Sequence, residues 1–238
     1  VTDNGNNESA LNLKATALWD GDAVGNDTYG FSALPTGYRY VSGEYTGFSQ
    51  VGVFTDFWSS SVYDSENAYT LFLGPEDRSY IYPSNNVKEG RSVRCIKGES
   101  LISSSSSEAE SSSSFYKPSW EFLNPDLEAL YDTIIDDRDG QVYKTIAIGK
   151  QVWMAENLNY RYQAGTAELD SSSFCYMNDP DSCAKYGRAY LWSAAMDSSG
   201  VFPTTTETGC GYYDTCSIVV PFQGICPDGW RLPSKNDW

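Results

Sequence analysis

The chain has 238 residues, 40% of them hydrophobic and 15% aromatic, which is apolar mass enough for one domain or two small ones. Lys and Arg total 16 against 32 Asp and Glu, and a net charge of -16 repels phosphate backbones and anionic lipid, so no nucleic acid is expected as a partner. Histidine is absent, which removes the commonest general base near neutral pH and the commonest zinc ligand. No apolar run approaches the roughly 20 residues that span a bilayer. The opening VTDNGNNES has neither the basic start nor the apolar stretch of a signal peptide, so any export signal or anchor is expected outside this chain.

In residues 1–98 the stretches FSALPTGYRY, FTDFWSSS, NAYTLFLG and RSVRCIKG are short and aromatic-rich, broken by Gly, Asn, Asp and Pro. They predict successive strands and corners in a meander. Residues 99–114, ESLISSSSSEAESSSS, have almost nothing to bury and read as a flexible linker. In residues 115–238, NPDLEALYDTII predicts a short helix: Asn124 suits its cap, Pro125 its first turn, and Leu127, Leu130 and Tyr131 fall at helical spacing. After the DDRDG turn, QVYKTIAIGKQVWMAENL predicts a β-hairpin turning at Gly149-Lys150. Residues 186–197, YGRAYLWSAAMD, predict a second short helix in which Trp192 is partly packed. Together these elements make an α+β fold of small antiparallel sheets, short helices and long ordered loops.

The six cysteines match neither CxxC redox pairs nor zinc knuckles, and an even count beside abundant Ser, Thr, Tyr, Asn and Gly favours disulfides over free buried thiols. Cys175 and Cys183 bracket YMNDPDS, and Cys210 and Cys216 bracket GYYDT. Each is a short loop that a local disulfide closes for roughly 2 to 3 kcal/mol in the chain-entropy model. Unpaired thiols that lie close only in sequence are the less favoured alternative.

Six motifs, three in each segment, carry a family resemblance. DDRDGQVYKTIAIGKQVWMAENL, YGRAYLWSAAM and CPDGWRLPSKNDW stand in the second segment, and NDTYGFSALPTGYRY, FWSSS and GRSVRCIKG in the first. Together they resemble the Fibrobacter succinogenes major paralogous domain, a repeated module of bacterial surface and secreted proteins. The order departs from that family, in which the WMAENL, LWSAAM and CPxGWRLPS motifs come first. Two accounts fit the reversal. Either the chain cuts through a tandem array, holding the late half of one module and the early half of the next, or the halves pair as a circular permutant of one module. A 16-residue coil reaches on the order of 20 Å, which permits the pairing.

The resemblance implies a C-type-lectin-like module, and a location that is extracellular or on the outer cell surface. It also implies that Cys95 and Cys226 belong to a long bridge joining an early segment to the last strand; they pair with each other only if the two halves close together. Neither EPN nor WND, the calcium triplets of sugar-binding lectins, occurs, so no metal and no cofactor are expected.

Trp58, Trp153, Trp192 and Trp230 lie inside the motifs and read as core in preference to sugar-stacking surface. Tyr80, Tyr82, Tyr160, Tyr162, Tyr212 and Tyr213 fall in loop-like stretches and are the ligand candidates. Asp136, Asp137 and Asp139 read as a solvated turn, since the remaining calcium ligands are missing. Pairs such as Asp20 with Asp22 or Glu207 with Asp214 arise by chance among 32 acids. The expected function is therefore non-catalytic: a surface or secreted module for adhesion, with polysaccharide or other surface proteins as partner. A glycan-active enzyme and a structural spacer are the alternatives.

Overall fold

A computed structural model describes residues 8–21, 23–75, 77–84, 86–98, 121–164, 171–197, 199 and 221–238. The serine-rich stretch 99–114 and the residues Cys210, Tyr212, Tyr213 and Cys216 lie outside the described residues.

After a short helix α1 (Glu8–Leu13), β1 (Tyr38–Ser42) and β2 (Tyr45–Ser49) form a hairpin. A three-stranded meander follows, of β3 (Thr55–Val62), β4 (Ala68–Leu73) and β5 (Ser79–Ser84). Pro83 is tolerated because β5 is an edge strand, with no neighbour needing its missing N–H. The RSVRCIKG stretch contributes only β6 (Ile96–Lys97), and this strand leaves the meander.

Its destination is the sheet of the second segment. There β7 (Asp132–Asp136), β8 (Gln141–Ile148) and β9 (Gln151–Met154) pair antiparallel in sequence order. The β8–β9 hairpin turns where the sequence predicts, with Gly149 at φ 62° in a two-residue loop. Ile96 of β6 pairs with Trp153 of β9, and β12 (Trp230–Arg231) closes the other side of β6 through Trp230 against Lys97 and Arg231 against Ile96. The five-stranded sheet thus runs β12-β6-β9-β8-β7 and draws on both segments.

Both cores are mixed in the same way. Trp58, Val93 and Cys95 pack with Tyr143, Leu158, Tyr190 and Trp192 in one. Phe31, Phe57, Leu71 and Ile96 pack with Ile146 and Trp153 in the other. The indole N–H of Trp58 donates to Tyr190 O at 2.7 Å, and that of Trp192 to Ser59 O at 2.9 Å. All four motif tryptophans are buried. Cys95 is joined to Cys226 and Cys175 to Cys183.

Two helix expectations need correction. Residues Pro125–Leu130 form a 3-10 helix: the side-chain oxygen of Asn124 accepts from Asp126 N, as predicted for a cap, but six residues with no buried side chain give an α-helix too little to nucleate on. Residues 186–197 are not one helix. β11 (Ala189–Tyr190) pairs with β10 (Ser173–Phe174), and beyond Tyr186, the last residue of the preceding helix, only α3 (Trp192–Ala195) is helical. Tyr190 is instead held extended by Arg91, whose backbone it meets in a reciprocal pair of hydrogen bonds at 3.0 and 2.8 Å. Trp192 is fully packed at 1% exposure. Ahead of it, α2 (Pro180–Tyr186) is capped by Asp179 and stopped by Gly187 at φ 74°.

Candidate functional site

Strand alternation puts Tyr38 with Tyr40 on one face of β1, and Tyr80 with Tyr82 on one face of β5. Phe72 of β4 stands across from Tyr80 on one side and Asp56 of β3 on the other, so these side chains share a face of the meander. The opposite face carries Phe57, Leu71 and Ile81 into the core. With Phe54 from the turn before β3, the rings form a continuous strip. Centroid separations are 6.4 Å for Tyr40–Tyr38, 5.5 Å for Tyr38–Phe54, 5.3 Å for Phe54–Phe72, 4.6 Å for the stacked Phe72–Tyr80 pair and 5.4 Å for Tyr80–Tyr82. Tyr80 is 45% exposed and the other members are half-buried.

Two glycines make room for the rings. A Cβ on Gly47, paired across from Tyr40, would lie 2.6 Å from the Tyr40 hydroxyl. A Cβ on Gly74 would collide with the Phe72 ring. Any larger residue at either position would therefore displace a member of the strip.

A charged centre adjoins the rings. Arg91, 5.4 Å from the Tyr38 ring centroid, pairs with Asp56 through Nη1 and with Glu89 through Nη2 at 2.5 Å. The Tyr82 hydroxyl donates to Asp56 Oδ2 at 3.3 Å. Both carboxylates thus converge on one guanidinium. Burial pushes the Glu89 carboxyl up to about 7 and the Tyr82 phenol up to about 12. Asp56 Oδ1 and Arg91 Nε are buried without a hydrogen-bond partner among the described residues, so the centre retains one acceptor and one donor unspent.

Of the tyrosines predicted to meet a ligand, only Tyr80 and Tyr82 come together. Tyr160 is half-buried, with the Arg138 guanidinium 4.2 Å from its ring centroid. Tyr162 is a core residue, 2% exposed, and donates its hydroxyl to Asp197 at 2.5 Å, so it turns no surface to a ligand. Sequence reading missed Tyr38, Phe54, Phe72 and the Asp56–Arg91–Glu89 centre. The alternation in YRY and SYIYPS was visible, but nothing local shows that the two stretches meet. Among the described residues no group of three or more Cys, Asp or Glu is placed to share a metal ion. No helix among them is long and apolar enough to cross a membrane.

The model of the Fibrobacter succinogenes major domain matches residues 2–97 and 146–238. No curated protein and no solved structure matches the chain. The two matched stretches lie one in each of the segments whose strands interleave in the five-stranded sheet, and they include β6, β9 and β12 but not β7 or most of β8. With most of its length accounted for by that match, the chain belongs to the Fibrobacter succinogenes major domain family.

Proposed function

We propose that this chain is a non-catalytic binding module of a secreted or outer-surface bacterial protein, and that its aromatic strip holds polysaccharide. One observation carries the reading: six rings form a continuous row over the β1–β2 hairpin, the turn before β3 and one face of the meander. Aromatic surface gives contact area at little entropic cost, and sugars offer apolar C–H faces that stack on such rings. Two disulfides favour an oxidising location outside the cytoplasm. We also infer that the segments are the late and early halves of one module in reversed order, closed as a circular permutant with a C-type-lectin-like architecture. The mixed sheet and mixed cores support this pairing.

The test is affinity electrophoresis in gels cast with xylan, mixed-linkage β-glucan or galactomannan. Wild-type protein is expected to be retarded by at least one polymer. Tyr80→Ala, at the most open ring, is expected to lose most of that retardation while keeping its melting temperature within a few degrees. Equal retardation of the variant, or none for wild type, would overturn the reading.

One observation favours a second reading, a glycan-active enzyme: Glu89 is raised toward neutrality beside Asp56. Release of reducing ends from those polymers, abolished by Glu89→Gln, would establish it.

A further inference from the structure

The loop closed by Cys175 and Cys183 has a cation on its sulfurs. Arg188 Nη1 donates to Cys183 Sγ at 3.3 Å and to Cys175 Sγ at 3.4 Å, and the rest of the guanidinium reaches Ser173 Oγ at 3.3 Å and Ser173 O at 3.5 Å. Among the described residues no carboxylate pairs with it. Burial lowers the Arg188 pKa, so the charged guanidinium is disfavoured where it stands. A disulfide sulfur is a weak, uncharged acceptor, whereas a thiolate is an anion. Opening the bond therefore gives Arg188 the partner that the closed loop withholds, and this coupling favours the reduced form.

The backbone of the loop adds to this. Met177 and Asn178 sit at φ 55° and 58°. Asn tolerates left-handed backbone, but Met adopts it rarely, and with 66% of Met177 exposed no packing of its own side chain holds it there. Closure of the loop holds it, together with the Asn178 N–H that donates to Cys175 O at 2.9 Å. The two sulfurs also differ in access. Cys175 is half-buried and Cys183 is 5% exposed, so an incoming thiol meets Cys175 first, whereas Cys95 and Cys226 of the long bridge are both 0% exposed.

The loop is also a support. On the β1–β2 hairpin Arg39 and Phe48 stand across from one another, on the face opposite Tyr38 and Tyr40. That face rests on the residues flanking Cys175: the Arg39 guanidinium is 4.1 Å from the Phe174 ring centroid, and the Phe48 and Tyr176 centroids are 5.2 Å apart.

We propose that the Cys175–Cys183 bond is a thiol–disulfide exchange site for a dithiol, that Arg188 stabilises the departing thiolate, and that opening the bond loosens the seat of the β1–β2 hairpin. One thiolate of the dithiol attacks Cys175 Sγ, and the sulfur–sulfur bond breaks with its electron pair passing to Cys183 Sγ, which remains a thiolate against Arg188. The second thiol of the reagent gives up its proton and displaces Cys175 Sγ, which takes up a proton. The dithiol leaves oxidised by two electrons as a disulfide, the loop is reduced by two, and one proton passes to water. None of this depends on whether the strip holds polysaccharide.

The experiment equilibrates the full chain with dithiothreitol at graded ratios of reduced to oxidised reagent, quenches with iodoacetamide and maps the labels by peptide mass spectrometry, so that each cysteine is read separately. Cys175 and Cys183 are expected to be labelled at ratios that leave Cys95 and Cys226 unlabelled. Arg188→Met is expected to lower the equilibrium constant for reducing this bond at least tenfold, about 30 mV, and Arg188→Lys, which restores the charge, to recover most of it. In wild-type protein reduced to that point, the NMR ring signals of Tyr40, Phe48 and Tyr176 are expected to move while those of Trp153 stay. The proposal is overturned if the long bridge opens first or at the same ratio, or if those hairpin signals stay in place. It is equally overturned if Arg188→Met leaves the constant unchanged or raises it, as mere loosening of the loop would, or if Arg188→Lys behaves as Arg188→Met. Should Arg188→Met fail to fold, the order of reduction and the ring signals of wild type decide alone.

Discussion

Asp27 shows how a single residue is made to serve this fold. It sits at φ 47°, a left-handed backbone that Asp and Asn tolerate better than most residues, and it is fully buried. Its carboxylate accepts from Ser32 N at 2.7 Å and from Ser32 Oγ at 2.5 Å, while its carbonyl accepts from the Asn124 side chain at 3.0 Å. Residues 97 apart in sequence are thereby tied together. Burial nonetheless pushes the carboxyl up to about 6, with the hydrogen bonds and Arg94 only partly opposing it. An acid raised in the folded state binds more protons folded than unfolded between about pH 4 and 6, so its contribution to stability falls as pH rises through that window. The full effect is about 3 kcal/mol at most, and Glu89, raised to about 7, acts in the same direction at the upper end. Urea midpoints measured from pH 4 to 7 should therefore decline for wild type and decline less for Asp27→Asn. Parallel curves would contradict a raised Asp27.

At the level of elements, the strip depends on residues with no side chain as much as on its rings. Gly74 closes against Phe72, and its carbonyl accepts from the buried Lys14 ammonium at 3.2 Å. Gly74→Ala should swing the Phe72 ring off Tyr80, costing about 0.5 to 1.5 kcal/mol for the lost aromatic pair. A reduced near-UV circular dichroism signal together with weaker polysaccharide retardation is the expected result; an unchanged signal would show that the ring can stay. The elements also differ in how plainly they were written. The β8–β9 hairpin was legible because its strand-forming residues and Gly149 act locally. The 186–197 stretch was not. Its helical spacing of Tyr190, Leu191, Ala194 and Ala195 is real, but Arg91 captures the Tyr190 backbone into a bridge before the helix can start. A tertiary hydrogen-bond pair outweighs a propensity worth only tenths of a kcal/mol per residue.

For the whole molecule, the decisive link is the insertion of β6 between β12 and β9, backed by the Cys95–Cys226 bridge. The two disulfides close chain separations of 131 and 8 residues, which chain entropy converts to about 5 and about 2.5 kcal/mol. Replacing Cys95 and Cys226 by Ser should accordingly lower the urea midpoint more than replacing Cys175 and Cys183; the reverse order would mean that the long bridge adds little to a core that already joins the segments. Cleavage at a protease site introduced within residues 99–114 should leave one particle in size exclusion, even after reduction, because both cores are shared. Separation of the halves by reduction alone would show that the disulfide, and not the packing, holds them.

Composition and motif by themselves determined the family, the α+β class, the main hairpin, the burial of the four tryptophans and the oxidised state of the Cys175–Cys183 loop, since each depends on residue type or on partners a few positions away. They left open whether the two segments close together, which tyrosines share a face, and that Arg91 and Arg94 are buried. Only the tertiary structure decided those points. Each depends on contacts between residues far apart in sequence, such as Ile96 with Trp153, Phe72 with Phe54 and Arg94 with Asn157, and local pattern carries no information about where such distant stretches meet.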